Sequence, residues 1–167
     1  MNKFNKRYYH TPSEFFKDLT TIMQHRKEIR SLMKGDLLSD AFRERIMMAV
    51  TEVNGCRYCS YAHAKMALKA GISEEEITHL ADGVFEHCPP EEVPALFYAQ
   101  HWAESNTYPD EDARQKVLEA YGPKKTQAIE LAMRMIRIGN LMGNTGDYIL
   151  FRISFGRWGN DQASKQD

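Results

Sequence analysis

Apolar residues recur at helical spacing along nearly the whole chain, and this periodicity constrains the fold more than any other feature. The first such stretch begins at a capping box with proline, Thr11 to Glu14, and is expected to run as one helix to Gly35. Later helices are predicted to begin near Ser39, Cys56, Ser73, Glu91, Pro109 and Pro123. Since no segment alternates convincingly as a strand does, the sequence predicts an all-α fold, a compact helical bundle of about seven helices.

The end of the chain is harder to interpret. The last clear helix is expected to run from Pro123 to about Met142 and to be followed by Gly143-Asn144. Beyond it, residues 148–155 are apolar and favour a helical partner or a docking tail over a lone strand. With no low-complexity linker, residues 1–167 are predicted to form a single domain.

Charge and composition exclude several classes of function. The 167 residues carry a net charge of -1 and no basic stripe, so no nucleic-acid partner is expected. No run of roughly 18 apolar residues is present, and residues 1–11 lack the apolar core of a secretory signal. These features predict no membrane association and a cytoplasmic location.

Two of the three cysteines carry the clearest chemical signal. Cys56 and Cys59 have C-x-x-C spacing where a helix is predicted to begin, directly after Gly55. A helix N-terminus favours the thiolate and lowers the pKa of a cysteine, which prepares the pair for oxidation and exchange. His63 follows Cys59 by four residues and shares its helix face, where an imidazole can accept the thiol proton. Cys56 is expected at the exposed start of the helix.

Zinc binding is the alternative interpretation of this spacing. A structural zinc site needs four ligands, and no second pair stands at finger spacing, so we expect no metal site here. His87 and Cys88 could complete one only if the fold brought them close. His79, His87 and His101 are instead expected to be surface or internally satisfied residues, and Cys88 a bystander.

A carboxylate upstream of the cysteines connects the chain to a known family. Taken alone, Glu44 lies between two arginines and would be assigned to the solvated surface. The pattern Glu44, eleven residues, Cys56, two residues, Cys59, three residues, His63 nevertheless resembles the alkylhydroperoxidase D family of the carboxymuconolactone decarboxylase-like superfamily. The resemblance is strong over the core motif region, residues 36–83, and looser over residues 124–147.

The resemblance implies a thiol-dependent antioxidant oxidoreductase, a peroxidase that reduces small hydroperoxides. Cys59 would be the peroxidatic cysteine and Cys56 the resolving one, with His63 and Glu44 as a proton relay. No cofactor would be needed, and a thioredoxin-like or lipoyl-bearing dithiol protein would donate electrons. Tyr58 stands where the family's peroxidase has a second histidine. The alternative is therefore a redox-sensing or binding module that uses the same reversible disulfide without efficient turnover.

The family is also oligomeric, which bears on the apolar end of the chain. Phe151, Phe155 and Trp158 are too apolar for a free tail. A small helical unit also gains core by association. A homo-oligomer is therefore expected, with the C-terminal segment 145–167 docking on a neighbouring subunit.

Overall fold

The computed structural model describes residues 3–160, and within this range the chain forms seven helices and no strand. The all-α bundle predicted from periodicity is thereby confirmed. The helices are α1 Pro12–Gln24, α2 Arg26–Leu32, α3 Asp40–Asn54, α4 Arg57–Lys69, α5 Glu74–Ala81, α6 Val93–Glu104 and α7 Glu111–Ile153. Among the described helices, none is long and apolar enough to cross a membrane.

Side-chain caps start several helices where the sequence predicts them. The Ser39 hydroxyl accepts a hydrogen bond from the Phe42 amide at 3.1 Å at the start of α3, and Ser73 caps α5 through the Glu76 amide at 3.2 Å. At the other end of α3, Gly55 takes a left-handed φ of 70°, which a residue without Cβ adopts most readily. Ser39 and Gly55 thus mark the two ends of α3, the helix that leads into the thiol motif.

The first predicted helix is wrong as a single element, because it divides into α1 and α2 at His25. His25 has φ -103° and ψ 23°, outside the helical region. Its ring nitrogen Nδ1 lies 2.9 Å from the carbonyl oxygen of Thr21, the same oxygen that accepts its own amide. A side chain that competes with the main chain in this way favours an interruption of the helix.

The last helix extends beyond its predicted end at Met142 and continues to Ile153. Buried residues recur at helical spacing through Asn140, Asn144, Asp147 and Phe151. Because three of these four are polar, a search for apolar periodicity does not detect them. Tertiary hydrogen bonds stabilise the helix where it contains Gly143 and Gly146. The side-chain amide of Asn144 donates to the carbonyls of Asn54 at 2.7 Å and of Arg7 at 2.8 Å.

The helix start predicted near Pro123 is present as a break inside α7. Gly122 has φ 71° and ψ 167°, values outside the helical region, and Pro123 restarts the helix. The first arm of α7 therefore changes direction before the second arm, residues 123–153, runs past the thiol motif.

Helix α3 is the central element of the bundle and packs against α4, α5, α6 and α7. It is buried over most of its length, including the charged residues Arg43, Glu44 and Arg45, rather than along one stripe. Packing against it, α6 buries Leu96 completely, whereas the next residue, Phe97, is 56% exposed. The core is completed by residues that include Ile46, Val50, Ile129 and Met133.

The C-terminal residues of the described range fold back on their own chain. Phe151 is buried, and its ring lies 5.5 Å from that of Phe4. Gly159 approaches the backbone of α7 so closely that a Cβ there would collide with it. Phe155 and Trp158 remain exposed, so docking on a neighbouring subunit stays a prediction for them. Residues 161–167 of the predicted docking segment lie outside the described residues.

Candidate thiol active site

Cys56 and Cys59 form a disulfide at the N-terminus of α4, with their Cα atoms 5.3 Å apart. Cys56 is the N-cap residue, and its sulfur accepts from the amide of Cys59 at 3.3 Å. The first amides of α4 and the positive end of its dipole therefore lie beside the pair, as the spacing predicts. When the disulfide is reduced, this environment favours a thiolate.

The prediction that Cys56 stands at an exposed helix start is wrong, because the side chain is only 1% exposed. The second arm of α7 covers it: a Cβ placed on Gly143 would lie 3.3 Å from the Cys56 sulfur. The N-terminal segment covers the preceding turn, where Lys6 packs against Gly55. Cys59, one helical turn later, is partly exposed and lines a cavity.

Glu44 and His63 form a hydrogen-bonded pair between α3 and α4, in which the carboxylate is buried and the imidazole is partly exposed. His63 Nδ1 lies 2.7 Å from Glu44 Oε2, and Glu44 is 3% exposed. Since a carboxylate accepts, Nδ1 carries a proton, and Nε2 is the nitrogen of the neutral ring that can take another. The surface position that the local sequence alone suggests for Glu44 is therefore wrong.

Arg43 adds a charge that sequence reasoning did not select. Its Nε lies 3.6 Å from the second carboxylate oxygen of Glu44, and its Nη1 lies 2.9 Å from Asp40. The guanidinium is buried, so it faces the carboxylate of the pair in surroundings with little water. The sequence does place Arg43 directly before Glu44, which could have indicated an ion pair at the site. Two neighbouring charges are equally typical of a solvated helix face, so the sequence does not distinguish the two cases.

A cavity of about 420 Å³ brings these groups together. Its polar groups come from Arg43, Glu44, Cys59 and His63. Its remaining walls are largely apolar, formed by Met33, Met47, Tyr58, Ala62, Met66, Met135, Ile136 and Gly139. A larger cleft between α6 and the start of α7 is lined by no cysteine. The thiol cavity can therefore place a small apolar molecule beside a thiol and a carboxylate-supported imidazole.

Cys88, the third cysteine, lies apart from this cavity beside Glu76 and Arg45. It is 6% exposed, and burial, together with the negative charge of Glu76, raises the pKa of its thiol to about 12. Cys88 does not line the thiol cavity, and it is not poised to act as a nucleophile.

At pH 8 we expect Cys88 to react very slowly with iodoacetamide in the folded, reduced protein. A pKa near 12 leaves on the order of one thiolate in 10⁴ at that pH, and the thiolate is the nucleophile. Peptide mass spectrometry over a time course measures the rate, with the denatured chain and the Cys59 peptide as references. Equal rates for Cys88 and Cys59 in the folded protein would contradict the assignment.

The fold and the site together define an all-helical thiol protein, in which a C-x-x-C pair opens one helix and a carboxylate–histidine pair joins that helix to its neighbour. The family model of the carboxymuconolactone decarboxylase family matches residues 19–104, just over half of the chain. This protein belongs to the carboxymuconolactone decarboxylase family, and the resemblance to that superfamily is confirmed. The comparisons with curated proteins and with solved structures found no match.

Proposed function

We propose that the protein is a thiol-dependent oxidoreductase that reduces organic hydroperoxides. One observation carries this proposal: Cys59 shares a cavity with the Glu44–His63 pair, while its disulfide partner Cys56 is buried. A peroxide that enters the cavity meets Cys59 first. The largely apolar walls suit an alkyl group better than they suit hydrogen peroxide alone.

The proposed reaction consumes two thiols for each hydroperoxide. The Cys59 thiolate attacks the terminal oxygen of ROOH, so that an S–O bond forms and the O–O bond breaks. The alkoxide takes up a proton and leaves as ROH. The Cys56 thiol then attacks the Cys59 sulfenic acid, forming the disulfide and releasing water.

Proton transfer is assigned to the His63–Glu44 pair. His63 Nε2 accepts the proton of the Cys59 thiol, directly or through a water, and returns it to the departing alkoxide. Glu44 holds the ring through Nδ1 and stabilises the imidazolium that forms transiently. Arg43 and Asp40 extend this charged row away from the cysteine.

An external dithiol completes the cycle by reducing the disulfide and becoming a disulfide itself. A thioredoxin-like or lipoyl-bearing protein provides this chemistry, and the reducing cytoplasm provides the setting in which such donors operate. A homo-oligomer remains part of the proposal, with the exposed Phe155 and Trp158 as its proposed contacts.

The direct test counts free thiols in reduced protein before and after one equivalent of cumene hydroperoxide. We expect two thiols per chain to disappear and one, Cys88, to remain, because the disulfide forms between the residues already paired in the structure. Consumption of further hydroperoxide with excess dihydrolipoamide then measures turnover. The matched control is Cys88→Ser, which should still lose two thiols; retention of all thiols in the unaltered protein would refute the proposal.

A redox-sensing module is the second candidate, and Tyr58 is the observation that favours it. Tyr58 lies in the cavity wall, where its hydroxyl accepts a hydrogen bond from Arg57 at 2.7 Å. A phenol does not act as a general base near neutral pH in the way that a histidine does. Fast loss of two thiols without continued consumption in the presence of dihydrolipoamide would favour the sensor over the enzyme.

A further inference from the structure

Helix α5 and the loop that follows it bring together three side chains that could hold a metal ion. Glu75 and His79 are four residues apart on α5 and therefore share one helix face. His87 approaches them from the loop between α5 and α6. One donor atom from each of the three residues lies within 4.8 Å of the other two.

The loop holds His87 in this position through contacts on both sides of it. The Val84 amide donates to the carbonyl oxygen of His79 at 2.8 Å, which ties the loop to the end of α5. Phe85 and Cys88 are both buried, and the Cys88 amide donates to Phe85 at 3.1 Å. His87 itself points outward from this anchored turn, and its ring lies 4.2 Å from that of His79, nearly parallel to it.

We propose that Glu75, His79 and His87 form a binding site for a first-row divalent cation, with zinc as the best match. Two imidazoles and one carboxylate are a common three-residue zinc set, and water can fill the fourth tetrahedral position. Zinc bonds of about 2.0–2.1 Å place donors roughly 3.4 Å apart. Since the three donor atoms lie within 4.8 Å of one another, they need to close by about 1.4 Å at most. Glu75 and His87 are exposed and can rotate to close it.

The local charge also suits a cation. Glu74 directly precedes Glu75 in the first turn of α5, and Glu86 directly precedes His87. None of the three proposed ligands lines the thiol cavity, so the site is separate from the C-x-x-C pair.

A cation bound at this site would link the α5–α6 loop to α5. Beyond His87 the same loop leads to Glu92, whose carboxylate pairs with Arg45 of α3 at 3.0 Å. A cation bound by two residues of α5 and one of the loop would therefore stabilise the packing of this loop on the central helix. Binding favours the folded state because the three donors are assembled only there.

The test titrates ZnCl₂ into the full chain with the Cys56–Cys59 disulfide intact, so that the two thiols cannot bind the ion. Isothermal titration calorimetry should show one zinc per chain, and the midpoint of thermal unfolding should rise with zinc. His87→Gln should weaken binding by about tenfold or more and remove the thermal shift. His101→Gln, which alters a histidine paired with Asp110 at 3.3 Å, is the matched control and should change neither.

Two results would overturn this site. One is the absence of saturable binding at millimolar zinc. The other is binding that His87→Gln leaves unchanged, including the case in which His63→Gln abolishes it, because the ion would then lie elsewhere. Since His87 is exposed and makes no described hydrogen bond through its side chain, His87→Gln is expected to fold normally. The midpoint measured without zinc checks this point.

Discussion

Cys59→Ser is expected to abolish hydroperoxide consumption, reducing it to the rate of a sample without protein. The serine hydroxyl keeps the size of the thiol but is not ionised near neutral pH, so no nucleophile remains in the cavity beside His63. Cumene hydroperoxide loss with dihydrolipoamide as reductant provides the measurement. Undiminished consumption by Cys59→Ser would eliminate the mechanism.

Cys56→Ser separates the roles of the two sulfurs. This variant retains the partly exposed Cys59 but has no partner to form the disulfide, so a sulfenic acid should accumulate on Cys59 after one equivalent of hydroperoxide. A sulfenate-specific probe followed by peptide mapping locates it. If the probe failed to label Cys59, the order of the two cysteines would be wrong.

Glu44→Gln is expected to lower kcat by about 10²–10⁴, the usual range for loss of general acid–base catalysis, with little change in KM. Glutamine has the same shape and can still accept from His63 Nδ1, but it has no charge to stabilise an imidazolium. Because Glu44 acts through the histidine in the proposed relay, loss of its charge should slow the proton transfer and so lower kcat. Steady-state kinetics that separate kcat from KM measure this effect.

Glu52→Gln is the matched control, because Glu52 is a carboxylate of the same helix. It is exposed, and burial of part of its side chain together with Glu104 and Asp82 raises its pKa. It does not line the thiol cavity, so kcat should stay unchanged. Equal losses for the two variants would show a general effect of charge on α3. An unchanged kcat for Glu44→Gln would exclude the relay.

The local parts of the site could be predicted because their spacing lies within one helix. The start of α4 after Gly55 and the helical period of 3.6 residues together predict where Cys56, Cys59 and His63 lie relative to one another. The burial of Glu44 could not be derived in this way. Helix α3 is surrounded on all sides, so its charged residues show no periodicity that separates a buried carboxylate from a solvated one.

Contacts between distant residues explain the other differences. Gly143, 87 positions away, lies against Cys56, and Lys6 near the N-terminus packs against the preceding Gly55; no feature of the motif itself reveals this. Likewise, α7 passes its predicted end because Asn144 bonds to the carbonyls of Asn54 and Arg7. The meeting of His79 and His87 depends on how one loop turns back, which helix periodicity does not encode.

The burial of Cys56 has a kinetic consequence for the proposed cycle. A donor dithiol arriving from solvent can attack only the accessible sulfur, so its mixed disulfide forms on Cys59 and Cys56 leaves as a thiolate at the helix N-terminus. Oxidant and reductant therefore use the same atom in alternation. Such a cycle follows ping-pong kinetics. Because both substrates react at Cys59, a large excess of either the hydroperoxide or the dithiol should inhibit turnover by competing with the other.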